Sequence, residues 1–346
     1  MTSLYEEEYK NFLENHDLCD FQQSVEWGKI KEYWKNEIFI LLDRNDRIKA
    51  SISILIRKIP FFGNLMYVPR GPICNIHDEE VLQEITKEIQ KVAKKHKAFV
   101  IRIEPNVEKL DMKFQNIMEK LGYCIYSDAM DFNEEIQARH NLRLNLKNKT
   151  EEEVFQSFNA KTRYNIRLAI KKQVEIKELG IEGIDIFHKL LEETAKRDGF
   201  RIRPKEYFVK IFQEFKEQDI KILVAYYQEK PIASIIPVIY GKKMWYLYGA
   251  SSNQDRNVMP NYLLQWTAIQ DAIKKKLEVY DFRGVSLKDG KPDGLYQFKK
   301  GFGTDFIELI GEIYLPFKPI KYKLYKIAEK QFKKVNNFFY RISLKK

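Results

Sequence analysis

The sequence predicts an α+β protein made of two domains with similar winding, on three observations. One architecture is stated twice. Residues 38–53 (IFILLDRNDRIKASIS) and 220–236 (IKILVAYYQEKPIASII) each read as an apolar run, a short charged turn and a second apolar run containing Ala-Ser. Ala50-Ser51 and Ala233-Ser234 stand 183 residues apart. Each copy then continues through the same series of elements. Finally, 346 residues set a prior of about two domains, and a repeat this long implies duplicated domains, not a short-period solenoid.

In the first copy a strand at Leu65-Met66-Tyr67-Val68 and a Gly-containing turn lead into a helix. Val81, Leu82, Ile85, Ile89 and Val92 share one face at helical spacing. A strand from Phe99 to Glu104 (FVIRIE) follows. The second copy has an aromatic strand at Trp245-Tyr246-Leu247-Tyr248, then a helix carrying Tyr262, Leu263, Trp266, Ile269 and Ile273. Its last strand runs from Glu278 to Phe282. The second copy is opened by NAKTRYNIRLAIKK (159–172), a helix with Asn159 as its N-cap. Arg163, Arg167 and Lys171 recur every four residues on it and form one stripe without a balancing acid. A phosphate backbone would suit that stripe through counterion release.

At 44% hydrophobic and 14% aromatic, the chain can bury a sizeable core. No apolar run approaches the ~20 residues needed to span a bilayer. The start, MTSLYEEEYKNF, is too acidic and polar for a signal peptide. Cys19, Cys74 and Cys124 are far apart and odd in number, supporting neither a disulfide framework nor a zinc site. A cytoplasmic protein is expected.

The net charge of +11 is concentrated at one end. Pro316 to Lys346 holds nine Lys, one Arg (Arg341) and one acid (Glu329), or +9, leaving +2 for everything before it. Leu324, Ile327, Val335, Phe338, Phe339 and Ile342 lie in the same tail at roughly helical spacing. A basic amphipathic helix of this kind suits an anionic membrane surface or phosphates. Docking on the protein body, with the lysines in water, is equally compatible.

The order of elements is compatible with the N-acetyltransferase (GNAT-like) fold. There, acyl-CoA rests on a Gly-rich loop at a helix N-terminus. The corresponding stretches here, GPICNIHDEEV and SSNQDRNVMPNYLL, contain no run of glycines. An acyltransferase layout without that cradle points to a different acyl donor.

Eight blocks then run in order along almost the whole chain: QSVEWGKIK (23–31), PRGP (69–72), KTRYNIRLAIKK, IRPKEYF (202–208), YLYGAS (246–251), NYLLQW (261–266), YDFRGV (280–285) and GLYQFKKGFGTDFIELIGE (294–312). With them the sequence resembles the FemABX family. The resemblance implies an aminoacyltransferase with two tandem GNAT-like domains of mixed sheets flanked by helices. It places residues 1–148 with 316–346 in the first domain and 149–315 in the second. Such enzymes take an amino acid from aminoacyl-tRNA and attach it to the stem-peptide amine of a peptidoglycan precursor, UDP-MurNAc-pentapeptide or lipid II, in cross-bridge formation. The ester donor is already activated, so no metal and no cofactor are expected. No insertion long enough for a coiled-coil arm is present near Lys161 to Ile186, so the chain resembles the armless, FemX-like members. A monomer is expected, with peripheral contact at the inner face of the membrane as an option.

The same resemblance assigns individual residues. Lys31, four after Trp27, and Arg203 match positions contacting the nucleotide diphosphate, a role suited to a point charge and a forked guanidinium. Tyr207, Tyr246 and Tyr248 match aromatic positions lining the precursor groove; Tyr246 and Tyr248, two apart on a strand, should share a face. Lys299, in YQFKKGF, matches the lysine beside the reacting ester, where a cation stabilises the oxyanion. Lys300 is a rival of the same chemistry. Glu104 stands where the FemX-like pattern has Asp, and would orient or deprotonate the acceptor ammonium; an ion pair with Arg102 is the structural alternative. Phe99 stands where that pattern has Tyr. Arg163, Arg167 and Lys171 are the expected tRNA contacts. The rival classes are a CoA-dependent N-acyltransferase, disfavoured by the glycine-poor loops, and a non-catalytic RNA- or membrane-associated protein, disfavoured by the intact FKKGFG block.

Overall fold

The computed structural model describes residues 3–126, 136–288 and 291–343. Two compact units emerge, Met1–Arg139 with Glu308–Lys346, and His140–Ile307. The first opens with α1 (Ser3–Asn15) and α2 (Val25–Ile30), then β1 (Lys35–Leu42), β2 (Ile48–Ile59), β3 (Gly63–Arg70), β4 (Ile73–Cys74), α3 (Glu79–Lys95), β5 (Ala98–Pro105), α4 (Met112–Lys120) and β6 (Cys124–Ile125). Asp78 caps α3 by accepting from the Val81 amide. Glu79 and Glu80 sit in its first turn and Lys94 and Lys95 in its last, both favourable to the helix dipole. Strand alternation directs Ile54, Ile56, Met66, Val68 and Ile101 to one sheet face, where they pack with Leu82, Ile85 and Ile89 of α3.

The second unit comprises β7 (His140–Asn145), α5 (Glu151–Ser157), α6 (Ala160–Lys171), β8 (Glu175–Leu179), α7 (Ile184–Asp198), α8 (Lys205–Glu214), β9 (Ile222–Tyr227), β10 (Lys230–Tyr240), β11 (Lys243–Ser251), α9 (Pro260–Lys274), β12 (Val279–Gly284), β13 (Leu287–Lys288), β14 (Lys291–Pro292), α10 (Gly294–Lys300) and β15 (Asp305–Glu308). Its main sheet is ordered β15-β7-β12-β11-β10-β9-β8. Antiparallel β9-β10-β11 followed by α9 and parallel β12 repeats antiparallel β1-β2-β3 followed by α3 and parallel β5. The repeated Ala-Ser pairs hold equivalent places: Ala50 and Ser51 face Leu41 and Ile40, Ala233 and Ser234 face Ala225 and Val224, and all four are fully buried.

After β15 the chain returns to the first unit. There β16 (Ile313–Pro316) pairs with both β5 and β6, giving the order β1-β2-β3-β5-β16-β6 with β4 on β2. Helix α11 (Pro319–Ser343) follows. Its Tyr322 and Tyr325 pack on Leu55, Leu65, Tyr67 and Val100, the sheet face opposite α3. Leu324 and Ile327 are exposed; the side chains of Val335, Phe338, Phe339, Arg341 and Ile342 lie outside the described residues. Among the described residues, no helix is long and apolar enough to cross a membrane.

Candidate active site

In the second unit the parallel ladder between β11 and β12 holds only Lys243↔Val279, Met244↔Tyr280 and Trp245↔Asp281. The strands then part, β11 continuing along β10 and β12 along β7. In the first unit the matching pair β3–β5 stays together from Asn64↔Ala98 to Arg70↔Pro105. A fork leaves main-chain carbonyls without ladder partners, and buried ones need another donor. Lys299 is that donor: Nζ lies 2.7 Å from the carbonyl oxygens of both Phe282 and Gly284. Between them Arg283 adopts a left-handed φ of 59°, its amide donating to Asp281 at 2.6 Å. Asp281 is buried and paired with Arg143 at 2.9 Å.

Lys299 reaches the fork from α10, whose start is capped by Asp293 accepting from the Tyr296 amide at 2.7 Å. It is 5% exposed, with Nζ 5.6 Å from the Tyr246 ring centroid. Burial pushes its pKa down to about 7, opposed by the Asp281 carboxylate. Lys300 is exposed and donates instead to the Thr304 carbonyl. Of the two rivals, only Lys299 enters the fork. An ammonium in so dry a place can stabilise negative charge developing on an ester oxygen.

The basic helix starts beside this lysine. The Asn159 amide donates to the Gly301 carbonyl at 2.9 Å. A Cβ on Gly301 would fall 2.4 Å from Thr162 Oγ1, and one on Gly303 (φ 68°) 2.7 Å from the Ser157 carbonyl oxygen. Both glycines of FKKGFG thus let the exit of α10 touch the α5–α6 corner. The expected stripe is uneven. Arg163 donates to the carbonyls of Gln156 (3.1 Å) and Phe158, closing the end of α5. Arg167 lies 5.2 Å from the Phe155 ring, and Lys171 is exposed in the last turn.

Tyr246 and Tyr248 do not share an environment, contrary to the simple strand alternation. Tyr246 pairs with Pro237 and Tyr248 with Ile236, so Leu247 is an extra residue and the alternation slips by one. Tyr246 turns to Phe282 and Lys299. Its hydroxyl lies 1.8 Å from where a Gly249 Cβ would be, which accounts for the glycine of YLYGAS. Burial raises its pKa to about 12. Tyr248 packs on Phe208 and sits 3.5 Å, hydroxyl to hydroxyl, from Tyr207. The Arg203 guanidinium stands 5.3 Å from the Tyr207 ring, so Arg203, Tyr207 and Tyr248 form one cluster.

In the first unit Glu104 is buried at the end of β5, accepting from the Tyr67 hydroxyl and from the Gln137 amide at 3.0 Å. Burial raises its pKa to about 7; the Tyr67 hydrogen bond opposes the rise and the Glu312 charge adds to it. The suggested Glu104–Arg102 ion pair is not formed. Arg102 is held by Glu312 and, at 3.0 Å, by Glu329 of α11. Phe99 is fully buried against Phe62 and Tyr325. Lys31 ends α2 with Nζ 3.9 Å from the Trp27 ring centroid, the contact their four-residue spacing allows. The sequence reading did not single out Asp281, Arg283, Tyr67 or Gly249. Two charges inside the apolar strand VYDFRGV were the available signal for the first two. Among the described residues, no group of three or more His, Cys, Asp or Glu is placed to hold a metal ion.

Comparison with known proteins bears on the fold and the family. The FemAB family model matches residues 4–230 and 222–330. The UDP-N-acetylmuramoylpentapeptide-lysine N(6)-alanyltransferase of Weissella viridescens is 29% identical over 314 residues, covering 89% of this chain and 92% of that protein. The lipid II:glycine glycyltransferase of Staphylococcus epidermidis is 27% identical over 396 residues, covering 94% of each. The crystal structure of FemX superposes with a TM-score of 0.85 at 23% identity, over 92% of this chain and 98% of that one. A tandem GNAT protein from the clavulanic acid pathway gives 0.55 at 8% identity, over 90% and 94%. The fold is therefore a tandem of GNAT-like units, and by its sequence the chain belongs to the FemAB family.

Proposed function

We propose that this protein is an aminoacyltransferase that moves an amino acid from aminoacyl-tRNA to the stem-peptide amine of a peptidoglycan precursor during cross-bridge synthesis. The observation that carries the reading is the β11–β12 fork with Lys299 seated in it. It is supported by relatives named for transfer of glycine to lipid II and of alanine to the lysine of UDP-MurNAc-pentapeptide, and the acceptor here is one of those two precursors. The acceptor amine attacks the ester carbonyl, a C–N bond forms, and negative charge grows on the carbonyl oxygen. Lys299 as an ammonium stabilises that oxygen. The ester C–O bond then breaks, and the proton lost by the amine ends on the departing ribose hydroxyl.

In the same reading Glu104 orients the acceptor ammonium or takes its proton, a role favoured by a carboxyl whose pKa is about 7. Lys31 and Arg203 clamp the nucleotide diphosphate, while Tyr207, Tyr246 and Tyr248 line the precursor's path. Arg167 and Lys171 meet tRNA phosphates; Arg163 is better placed to hold the α5–α6 corner. The protein acts as a monomer.

The test is a mass-spectrometric transfer assay. Purified protein is given Ala-, Ser- and Gly-tRNA with either UDP-MurNAc-pentapeptide or lipid II. A mass gain of one amino-acid residue on a precursor is expected, and the responding pair names donor and acceptor. No gain in any combination, from folded protein with competent substrates, removes the reading; saturable acetyl-CoA binding would restore the CoA-dependent rival.

A further inference from the structure

Helix α11 has two apolar faces, and the sheet uses one of them. At 100° per residue, Tyr322, Tyr325 and Glu329 fall on one side: the tyrosines are buried on the sheet, and Glu329 is held by Arg102 at 3.0 Å. Diametrically opposite lie Ile320, Leu324 and Ile327, which are 81%, 56% and 58% exposed. Lys321 flanks this stripe on one side, Lys323 and Lys330 on the other. The single acid between Pro316 and Lys346 is Glu329, which faces inward. In the described part of the helix, the outward face thus carries Ile320, Leu324 and Ile327, with Ala328 and Gln331 beside them, between lysines and with no carboxylate.

We propose that this face lies on an anionic lipid surface, with Ile320, Leu324 and Ile327 at the acyl boundary and the lysines among the headgroups. A bilayer interface offers both an apolar layer and negative charge, with lysine stems long enough to reach back to the headgroups. Nucleic acid would satisfy the lysines and leave the aliphatic residues in water. A second copy would cover the aliphatic residues but bring like charges face to face. The inference rests on the proposed function only for its purpose, which is access to a lipid-linked acceptor; the binding itself is independent of turnover.

The experiment is vesicle co-sedimentation of the full chain, using phosphatidylglycerol–phosphatidylcholine vesicles against pure phosphatidylcholine. Wild type should bind the anionic vesicles, release at high salt and ignore the neutral ones. Lys321→Gln/Lys323→Gln/Lys330→Gln should weaken binding about a hundredfold, at roughly fivefold per lysine. Leu324→Gln/Ile327→Gln should weaken it at least about tenfold with charge unchanged. Lys323, Leu324, Ile327 and Lys330 are exposed and Lys321 is half-buried; an unshifted melting curve separates this result from misfolding, and binding read without turnover separates it from failure of the proposed activity. No binding of wild type to anionic vesicles, or undiminished binding by the Leu324/Ile327 variant, overturns the proposal. So does a wild-type dimer in solution that this variant dissociates.

Discussion

Lys299 Nζ lies 2.7 Å from the carbonyl oxygen of Phe282, at the point where β12 has left β11. The contact joins a backbone irregularity to a side chain available for chemistry, since the carbonyls of the parted strand are what hold the ammonium. Lys299→Met should lower single-turnover transfer by about 10²–10³, the usual cost of one oxyanion-stabilising group. Orphaned carbonyls cost about 1–3 kcal/mol each, but loss of the buried charge acts the other way. The melting temperature is therefore expected to move by only a few degrees. Unchanged turnover would remove Lys299 from the mechanism.

Glu104 predicts a pH signature in stability. Its folded pKa, about 7, lies above the ordinary 4.5 because the carboxyl is buried. Its contribution is therefore fully present below 4.5 and is lost as pH rises through 7. Between pH 4 and pH 8, Glu104→Gln should gain about 3 kcal/mol relative to wild type. Parallel urea titrations of both proteins across that range would show it, and a constant difference between them would refute it.

Arg102 anchors α11. Replacing it by Ala takes the guanidinium from buried Glu312 and half-buried Glu329, which keeps Lys326 and the Tyr325 hydroxyl, a change expected to cost about 3–5 kcal/mol. Glu329→Gln should cost less, because Arg102 keeps Glu312. Denaturant midpoints measure both. Limited proteolysis should cut within α11 sooner in Arg102→Ala.

Gly303 is required by its neighbour. Alanine there meets the Ser157 carbonyl at 2.7 Å and carries a φ of 68°. A loss of about 2 kcal/mol or more is expected, read from the thermal transition. Because the same corner carries α10, transfer should fall along with stability.

The cations of α6 should separate by salt dependence. Arg167→Gln and Lys171→Gln should each lower the slope of log affinity for tRNA against log salt by about 1. Arg163→Gln should leave that slope nearly unchanged and destabilise the fold, because its guanidinium serves the carbonyls of Gln156 and Phe158. Equal slopes for all three variants would contradict this division.

The sequence by itself determined what near neighbours encode. The helical faces of Val81–Val92 and Tyr262–Ile273, the duplicated hairpins marked by Ala-Ser, and the ordered motif blocks were all legible, because period and short spacing are local properties of a chain. The tertiary structure decided what depends on distant partners. One extra residue in β11 separates Tyr246 from Tyr248, and sequence alternation carries no sign of a bulge. Lys299 and Lys300 are chemically alike in sequence; the end of the β11–β12 ladder distinguishes them. Arg102 finds its carboxylates not beside it on β5 but on segments 210 and 227 residues away. That choice turns one face of α11 inward and leaves Ile320, Leu324 and Ile327 outside, because a helix with two apolar faces can be oriented only by what it packs against.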